Sequence, residues 1–206
     1  MTNSIEIRGL CKSYGDFALR DVNLTLPGGT IMGLIGENGA GKTTTIKCIL
    51  NLVRRDAGEI TLMGRDNIRE EKLAKEDIGV VLDECFFHDT LRPRDVGRIL
   101  APVFRNWDDG LYQDYLDKFQ LPEGKLIKEF SRGMKMKLSL AAALAHRPKL
   151  LILDEATAGL DPIVRDEILD EFLGFICDEE HAILISSHIT SDLEKAADYI
   201  TYIHQG

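Results

Sequence analysis

The octapeptide Gly36–Thr43 combines residue types and a spacing that suit phosphate binding. It reads Gly-Glu-Asn-Gly-Ala-Gly-Lys-Thr and fits the pattern G-x-x-x-x-G-K-[S/T]. Its glycines allow backbone N–H groups to turn toward phosphate oxygens, and Lys42 adds a positive charge for the terminal phosphates. The Thr43 hydroxyl is a ligand of the kind that Mg²⁺ prefers. We predict that this loop binds a nucleoside triphosphate with Mg²⁺; the alternative is a chance glycine turn before a helix.

The segments on either side of the loop are those that a phosphate-binding loop needs. Ile31–Ile35 is an apolar run that predicts a buried strand, and residues 44–53 predict a helix. A helix that begins at the loop directs its positive N-terminal end toward the same anion. This order of strand, loop and helix favours the functional interpretation over the chance turn.

A second candidate site is the carboxylate pair Asp154-Glu155, which follows the four apolar residues 150–153. In an α/β sheet a buried strand carries such a pair to its C-terminal edge, where ligands bind. We expect Asp154 to hold the Mg²⁺ shell through water and Glu155 to polarise the water that attacks the γ-phosphate. Taken alone, the pattern also fits an ordinary strand that ends in a solvated acidic turn.

Composition and charge narrow the class of protein. A net charge of −9 argues against a protein that coats nucleic acid, although a local basic pocket for phosphates is compatible with it. Met1–Glu6 shows no signal peptide, and no apolar run approaches the ~20 residues of a membrane-spanning helix. We therefore expect a cytosolic protein.

Reduced thiols are expected as well, because the cysteines are scattered without metal-ligand spacing: Cys11, Cys48, Cys85 and Cys177.

The order of predicted elements indicates a single α/β domain over residues 1–206. Alternating residues predict an edge strand at Ser4–Leu10 and a strand at Asp21–Leu26, so the start is expected to be antiparallel. From about Phe86 to Arg147 the periodicity is helical, which predicts a helical subdomain inserted into a mostly parallel core. Further strands are predicted at 58–64, 78–82, 149–155, 182–188 and 199–203, and further helices from Pro93, Asp109, Ser131, Pro162 and Ser191.

These motifs together resemble the nucleotide-binding domain of ABC ATPases along nearly the whole chain. A single phosphate loop is moderate evidence for any NTPase, whereas several motifs in one family's order are highly specific. The matches in this chain fall in the family's order. They are Tyr14 with the adenine-stacking aromatic, Gly36–Thr43 with Walker A, Phe130–Met134 with the signature, Leu150–Glu155 with Walker B, Ala158–Asp161 with the D-loop and His188 with the switch histidine.

The resemblance implies a fold, a reaction and a set of site residues. The fold would be a P-loop NTPase core with an N-terminal antiparallel β subdomain and an inserted helical subdomain, and the reaction would be ATP hydrolysis. The implied catalytic residues are Glu155, His188 and Lys42, and the implied Mg²⁺ ligands are Thr43, Asp154 and Asp83. The implied ATP contacts are Tyr14, Gly36, Asn38, Gly39, Ala40, Gly41, Lys42, Thr43, Thr44, Ser131, Gly133 and Asp161.

Three of these residues have simpler interpretations when each is taken alone. Tyr14 is as typical of a turn aromatic as of a base platform. His188 at a strand end is more often a capping or surface residue than a catalytic one. Asp161 before Pro162 is a sound helix N-cap, and it can serve both purposes. The resemblance favours the functional interpretation of all three.

Two positions depart from the family's pattern. Arg132 replaces the first glycine of the signature while Ser131 and Gly133 remain, so we expect a working signature. Arg132 either faces away or adds positive charge near the phosphate, and weakened dimer closure is the alternative. Asp83 and Glu84 stand where the family's Q-loop has glutamine; Asp83 either contacts the metal or forms part of a solvated loop.

The resemblance also implies partners. A second copy, or a homologous ATPase subunit, would face this one head to tail, so that Ser131 and Gly133 of one close over the ATP of the other. Separate transmembrane permease subunits would hold the protein at the inner face of the cell membrane, and no nucleic acid is expected. The chain is most similar to ATP subunits of bacterial exporters of drugs, peptides or antibiotics. A soluble ABC ATPase with a mechanical or regulatory role is the alternative.

The resemblance further predicts a C-terminal extension, because family members usually continue beyond the last strand.

Overall fold

The computed structural model describes residues 3–188 and 190–206. Met1 and Thr2, which belong to the segment searched for a signal peptide, therefore lie outside the described residues. The N-terminal part contains an antiparallel sheet of β1 (Asn3–Tyr14), β2 (Phe17–Pro27), β4 (Ala57–Leu62) and β5 (Arg65–Asp66). Their order is β2-β1-β4-β5, and β1 pairs antiparallel with both β2 and β4. The predicted antiparallel start is confirmed.

The prediction that the first strand lies at a sheet edge is wrong. β1 has a neighbour on each side, and β2 and β5 are the outer strands of this sheet. The reason is that alternation of polar and apolar residues reports one buried face of a strand. It carries no information about whether the backbone edges of the strand are paired.

The second sheet is parallel and contains β3 (Ile31–Ile35), β6 (Ile78–Val81), β7 (Leu150–Asp154), β8 (Ala182–Ser187) and β9 (Tyr199–Tyr202). Its order is β6-β7-β8-β3-β9, and every neighbouring pair is parallel. All residues of β7 and β8 are buried, as expected for central strands covered on both faces. Because the strands run in one direction, the ends of β3, β7 and β8 meet at one edge of the sheet.

The helices lie around this parallel sheet. They are α1 (Lys42–Ile49), α2 (Glu71–Glu76), α3 (Pro93–Leu100), α4 (Asp109–Lys118), α5 (Arg132–Leu144), α6 (Pro162–Phe175) and α7 (Thr190–Ala196), with a short 3₁₀ helix at Ile127–Glu129. Side chains cap the starts of α4, α5 and α6. Asp108 Oδ1 accepts from the Leu111 N–H at 2.9 Å, Ser131 Oγ accepts from the Met134 N–H at 3.3 Å, and Asp161 Oδ1 accepts from the Val164 N–H at 3.1 Å. The helix starts predicted at Pro93 and Pro162 are confirmed.

The helices α3, α4 and α5 are inserted between β6 and β7, which confirms the expected helical insertion in the α/β core. Tyr112 of α4 donates its hydroxyl to the Pro93 carbonyl of α3 at 2.9 Å, which joins two of these helices. Lys118 of α4 forms an ion pair with Glu171 of α6, and Lys137 of α5 forms one with Glu167 of α6. These pairs connect the helical insertion to α6.

Two apolar clusters hold the fold together. One lies between the helical insertion and one face of the parallel sheet, and the other lies between the opposite face, α1 and the antiparallel sheet. The parallel sheet is thus covered on both sides, which keeps its strand ends in a fixed arrangement. Among residues 3–188 and 190–206, the helices are too short or too polar to cross a membrane.

Local differences from the predicted elements are small. The first helix starts at Lys42 and ends at Ile49 instead of running from 44 to 53, and Asn51 beyond it has a φ of 52°. A left-handed asparagine is a common way to leave a helix. β5 and α2 were not predicted, because a two-residue strand and a six-residue helix are too short to produce a periodic pattern.

Candidate functional site

The phosphate loop between β3 and α1 has a backbone that depends on its glycines. Gly41 has a φ of 118°, in a region that residues with a side chain rarely adopt. Gly36 has no space for a side chain, because a Cβ built there would lie 2.4 Å from the Ile203 carbonyl oxygen. The helix α1 begins directly after Gly41, so its unpaired first-turn N–H groups point toward the loop.

Lys42 is buried with only 5% of its surface exposed, and its ammonium group is held inside the loop. Its Nζ donates to the Gly36 carbonyl at 2.8 Å and to the Glu37 carbonyl at 3.3 Å. The same Nζ lies 3.5 Å from Glu155 Oε1. A buried positive charge therefore stands in the loop with a fixed position and a carboxylate partner.

Glu155 links this lysine to the end of β8. Its Oε2 lies 2.5 Å from His188 Nδ1, so its two carboxylate oxygens face two different basic groups. Glu155 follows β7 directly and has a φ of 53°, a left-handed conformation that is uncommon for a residue with a side chain. This turn brings a carboxylate from one strand against a histidine from the next.

Asp154, the last residue of β7, is buried and hydrogen-bonded. Only 4% of it is exposed, and its Oδ1 accepts a hydrogen bond from Ser186 Oγ at 2.5 Å. Ser186 lies opposite Asp154 in the parallel pairing of β7 and β8. The carboxylate is thus fixed by the neighbouring strand rather than by solvent.

A cavity of about 510 Å³ opens at this edge of the sheet. Its charged lining consists of Lys42, Arg132 and the carboxylates of Glu37, Asp83 and Glu155, together with His188. The cavity brings together most of the predicted nucleotide residues, namely Asn38, Gly39, Gly41, Lys42, Thr43, Thr44, Asp83, Glu155 and His188. Asp154, Gly36 and Ala40 support the same edge from the strand and the loop.

Of the predicted residues outside the lining of this cavity, Ser131, Gly133 and Asp161 lie at the starts of α5 and α6. Ser131 and Asp161 are exposed, and each caps the helix that follows it. The two helix starts lie side by side, since a Cβ added at Gly133 would be 3.3 Å from Val164 Cγ1. We define these three residues, together with Arg132, as the capping surface.

Arg132 belongs to this capping surface and also reaches the loop after β7. A Cβ built at Gly159 would lie 2.9 Å from Arg132 Nη1, so the guanidinium packs on the glycine backbone. The side chain of Arg132 thus lies against Gly159, and its added positive charge near the phosphate stays a prediction. Its guanidinium also lines the edge of the cavity.

Tyr14 and Phe17 stand opposite each other at the turn between β1 and β2. Phe17 lines the cavity, whereas Tyr14 lies outside its lining, is 44% exposed and has the Lys12 ammonium 5.3 Å from its ring centroid. The sequence interpretation missed Phe17. The sequence does contain a sign of Phe17: a second aromatic residue follows Tyr14 after only the short turn Gly15-Asp16, so the two rings are paired across one hairpin.

Ser186 is a second residue that the sequence interpretation missed, although it precedes His188 by only two positions. Its hydroxyl contacts Asp154, and the Glu155 N–H donates to it at 3.1 Å. A serine inside an apolar strand is the sequence signal, because a buried hydroxyl requires a partner.

Fold and site together define a P-loop nucleotide-binding protein. The mostly parallel sheet, the glycine loop that opens a helix, and the carboxylates at the end of a neighbouring strand are the parts that this class uses to bind phosphates.

Comparisons with known proteins identify the family. The ABC transporter family profile matches residues 19–158. The lantibiotic transport ATP-binding protein SrtF of Streptococcus pyogenes is 38% identical over 98% of this chain and 87% of its own. The bacitracin transport ATP-binding protein BcrA of Bacillus licheniformis is 35% identical over 100% of this chain and 68% of its own.

A solved structure described as the ATP-binding subunit of an ABC transporter is similar as well. It superposes with a TM-score of 0.89 at 27% identity and covers 98% of this chain and 86% of its own. The chain therefore belongs to the ABC transporter family and is an ATP-binding subunit of that family. The fold predicted from the sequence and the resemblance on which it rested are confirmed.

Proposed function

We propose that this protein hydrolyses ATP to ADP and phosphate and thereby powers transport, in the export direction, through separate membrane subunits. The observation that carries the proposal is the convergence of Lys42, Glu155 and His188 on one cavity beside the phosphate loop. Similarity to proteins named for bacitracin and lantibiotic transport supports a role in transport and an antibiotic-like cargo.

The residues at the cavity fit a magnesium–nucleotide complex. In residues 3–188 and 190–206 no group of three or more His, Cys, Asp or Glu side chains could hold a metal alone. This suits Mg²⁺, which usually takes one or two protein ligands and completes its shell with phosphate oxygens and water. Thr43 and Asp154 would hold the ion, with Asp83 at the cavity rim as a third oxygen donor. When bound, the ion neutralises charge that develops on the phosphates.

The proposed chemistry follows from the groups around Glu155. A water oxygen forms a bond to the γ-phosphorus, the bond to the β–γ bridging oxygen breaks, and ADP leaves with that electron pair. Glu155 accepts the proton of the water. Lys42 and His188, which both contact this carboxylate, are placed to contact the γ-phosphate.

The capping surface supports action between two subunits. Ser131, Gly133 and Asp161 lie outside the lining of the cavity of their own subunit, and two of the three are exposed. A helix start with a free face is suited to an anion on another molecule. We propose that a second copy or a homologous subunit binds head to tail, so that this surface completes the partner's ATP site.

An apolar groove beside β6 and the helical insertion is the proposed contact for the membrane subunits. It has a volume of about 250 Å³, and Phe86, Phe87, Leu100 and Phe104 lie along it. Phe86 is 72% exposed, which is costly without a partner. His146 closes the groove from inside, stacked on Phe104, and burial lowers its pKa, which keeps the ring neutral and the groove apolar.

A mechanical or regulatory ABC ATPase outside transport is not favoured. The relatives that match nearly the whole chain are named as transport ATP-binding proteins.

Glu155→Gln tests the proposed reaction. The amide keeps the shape of the side chain but cannot accept the proton, so we expect kcat to fall about 100-fold or more. ATP affinity should be retained or raised, because the lost carboxylate competes with phosphate for Lys42, and a closed dimer should accumulate with ATP. Steady-state ATPase assays, equilibrium ATP binding and size-exclusion chromatography with ATP measure the three quantities.

Glu37→Gln is the matched control, because Glu37 lines the same cavity but its carboxylate contacts neither Lys42 nor His188. It should retain most of the activity. A wild-type rate in Glu155→Gln would refute the role of Glu155, and lack of ATP binding by the unmodified protein would refute the proposed function as a whole.

A further inference from the structure

The hydroxyl of Ser186 stands between the two carboxylate residues at the end of β7. Ser186 is 1% exposed, and its Oγ donates to Asp154 Oδ1 at 2.5 Å. The same Oγ accepts from the Glu155 backbone N–H at 3.1 Å, and the Ser186 carbonyl also accepts from this N–H at 3.1 Å. One buried serine thus bonds to both residues that the proposed reaction uses on this strand.

We propose that Ser186 is a positioning residue for ATP hydrolysis. It fixes the Asp154 carboxylate and the backbone of Glu155 in one arrangement, so that both carboxylates keep a constant relation to the phosphate loop. This inference rests on the proposed function, since it concerns the same reaction.

The backbone of Glu155 gives a reason for such support. A residue with a side chain at a φ of 53° occupies a sparsely populated conformation, which persists only when surrounding contacts impose it. The Glu155 N–H finds two acceptors on Ser186, its hydroxyl and its carbonyl. Those two contacts fix the turn that directs the Glu155 side chain toward Lys42 and His188.

The carboxylate of Asp154 gives a second reason. A buried carboxylate must be hydrogen-bonded, and a single well-aligned donor also selects its rotamer. Ser186 engages one oxygen, Oδ1, and does so from the adjacent strand, which is itself fixed by pairing with β7. Groups that hold a metal-site carboxylate in this way typically change metal affinity or activity 10–100-fold when removed.

Two roles of the hydroxyl predict different results. If it only satisfies a buried carboxylate, its loss lowers thermal stability and leaves the turnover of the folded protein unchanged. If it positions the two carboxylates, its loss lowers kcat and the contribution of Mg²⁺ to ATP affinity. The affinity for ATP without Mg²⁺, which depends on the loop and Lys42, should be unchanged in both cases.

The test compares Ser186→Ala, Ser186→Thr and wild type. For Ser186→Ala we expect kcat to fall about 10-fold, KM to change little, and the gain in ATP affinity on adding Mg²⁺ to shrink by a similar factor. Ser186→Thr retains the hydroxyl and should recover most of both. Ser4→Ala is the matched control, because Ser4 is a buried serine (4% exposed) in the antiparallel sheet, and it should leave both quantities unchanged.

Calorimetric titration with ATP, in Mg²⁺ and in EDTA, gives a measurement that does not depend on turnover. Wild-type kcat and a wild-type magnesium effect in folded Ser186→Ala would overturn the inference, and so would a lower unfolding temperature without a change in kcat. If Ser186→Ala does not fold, Ser186→Cys takes its place, because a thiol is a weak hydrogen-bond donor of similar size. We expect a reduced kcat for Ser186→Cys, and a wild-type kcat would overturn the inference. An inactive wild-type protein that binds no ATP would instead refute the proposed function.

Discussion

The phosphate-loop side of the subunit and its capping surface are built in opposite ways. On the first side, Lys42 and Asp154 are 5% and 4% exposed and have hydrogen-bond partners within the chain. On the second side, Ser131 and Arg132 are exposed, and Ser131 Oγ accepts a hydrogen bond from the N–H of Met134 in its own helix start. One side is completed by its own fold, whereas the other leaves polar groups available to another molecule. The comparison predicts that mutations on the two sides will affect different measurements.

The largest effect is expected for Lys42→Ala on the phosphate-loop side. The substitution removes the positive charge and leaves Glu155 without one of its partners, so ATP affinity should fall roughly 100-fold. Equilibrium binding of the isolated subunit at low protein concentration is the measurement. Lys47→Ala, an exposed lysine in the last turn of the same helix, is the control and should bind normally. Normal binding by Lys42→Ala would show that this side does not hold the phosphates.

A smaller effect, and on a different quantity, is expected for Ser131→Ala on the capping surface. Single-subunit ATP affinity should stay unchanged, while ATP-dependent dimer formation in the Glu155→Gln background weakens about 10-fold. Ser131→Asn distinguishes the loss of the helix cap from the loss of the proposed contact with the partner's ATP, because asparagine still caps α5 but lacks the hydroxyl. Sedimentation equilibrium measures the dimer. A loss of single-subunit affinity would mean that Ser131 acts on its own nucleotide, and the comparison would fail.

The smallest effect is expected for Arg132→Ala, which removes the contact between the guanidinium and Gly159. Because this contact is packing rather than an ion pair, dimer formation should weaken only about threefold, with single-subunit ATP affinity unchanged. A double-mutant cycle with Gly159→Ala should be non-additive if the two residues act through one contact. A fall in single-subunit affinity would instead assign Arg132 to the nucleotide of its own subunit. Arg94→Ala, an exposed arginine of α3, is the control.

Much of the phosphate-loop side could be predicted from the sequence because its parts are contiguous. A buried strand, a glycine loop and a helix start follow one another within about twenty residues, and β3 was predicted with its observed bounds. The same holds for α6, where Asp161 and Pro162 mark the start. These features arise from local backbone chemistry, which a single sequence records.

The remaining features depend on pairing between distant segments. The inner position of β1 is set by β4, which follows more than forty residues later, and the partners of Ser186 are set by the register of β7 and β8. The place of Phe17 in the cavity lining depends on how the first hairpin approaches the loop, since a Cβ at Gly41 would lie 3.1 Å from its ring. A sequence pattern reports which faces are buried but not which strands meet.

The contacts of Glu155 with Lys42 and His188 make ligand binding at this site depend on the charge of the ligand. The carboxylate acts as an internal competitor, so an incoming anion gains from Lys42 only the difference between its own attraction and that of Glu155. A weakly charged ligand would gain little by this exchange, whereas the more highly charged terminal phosphates of ATP would gain more from Lys42. In the proposed reaction, this displacement would also free Glu155 to accept a proton, so that binding of the triphosphate would prepare the base.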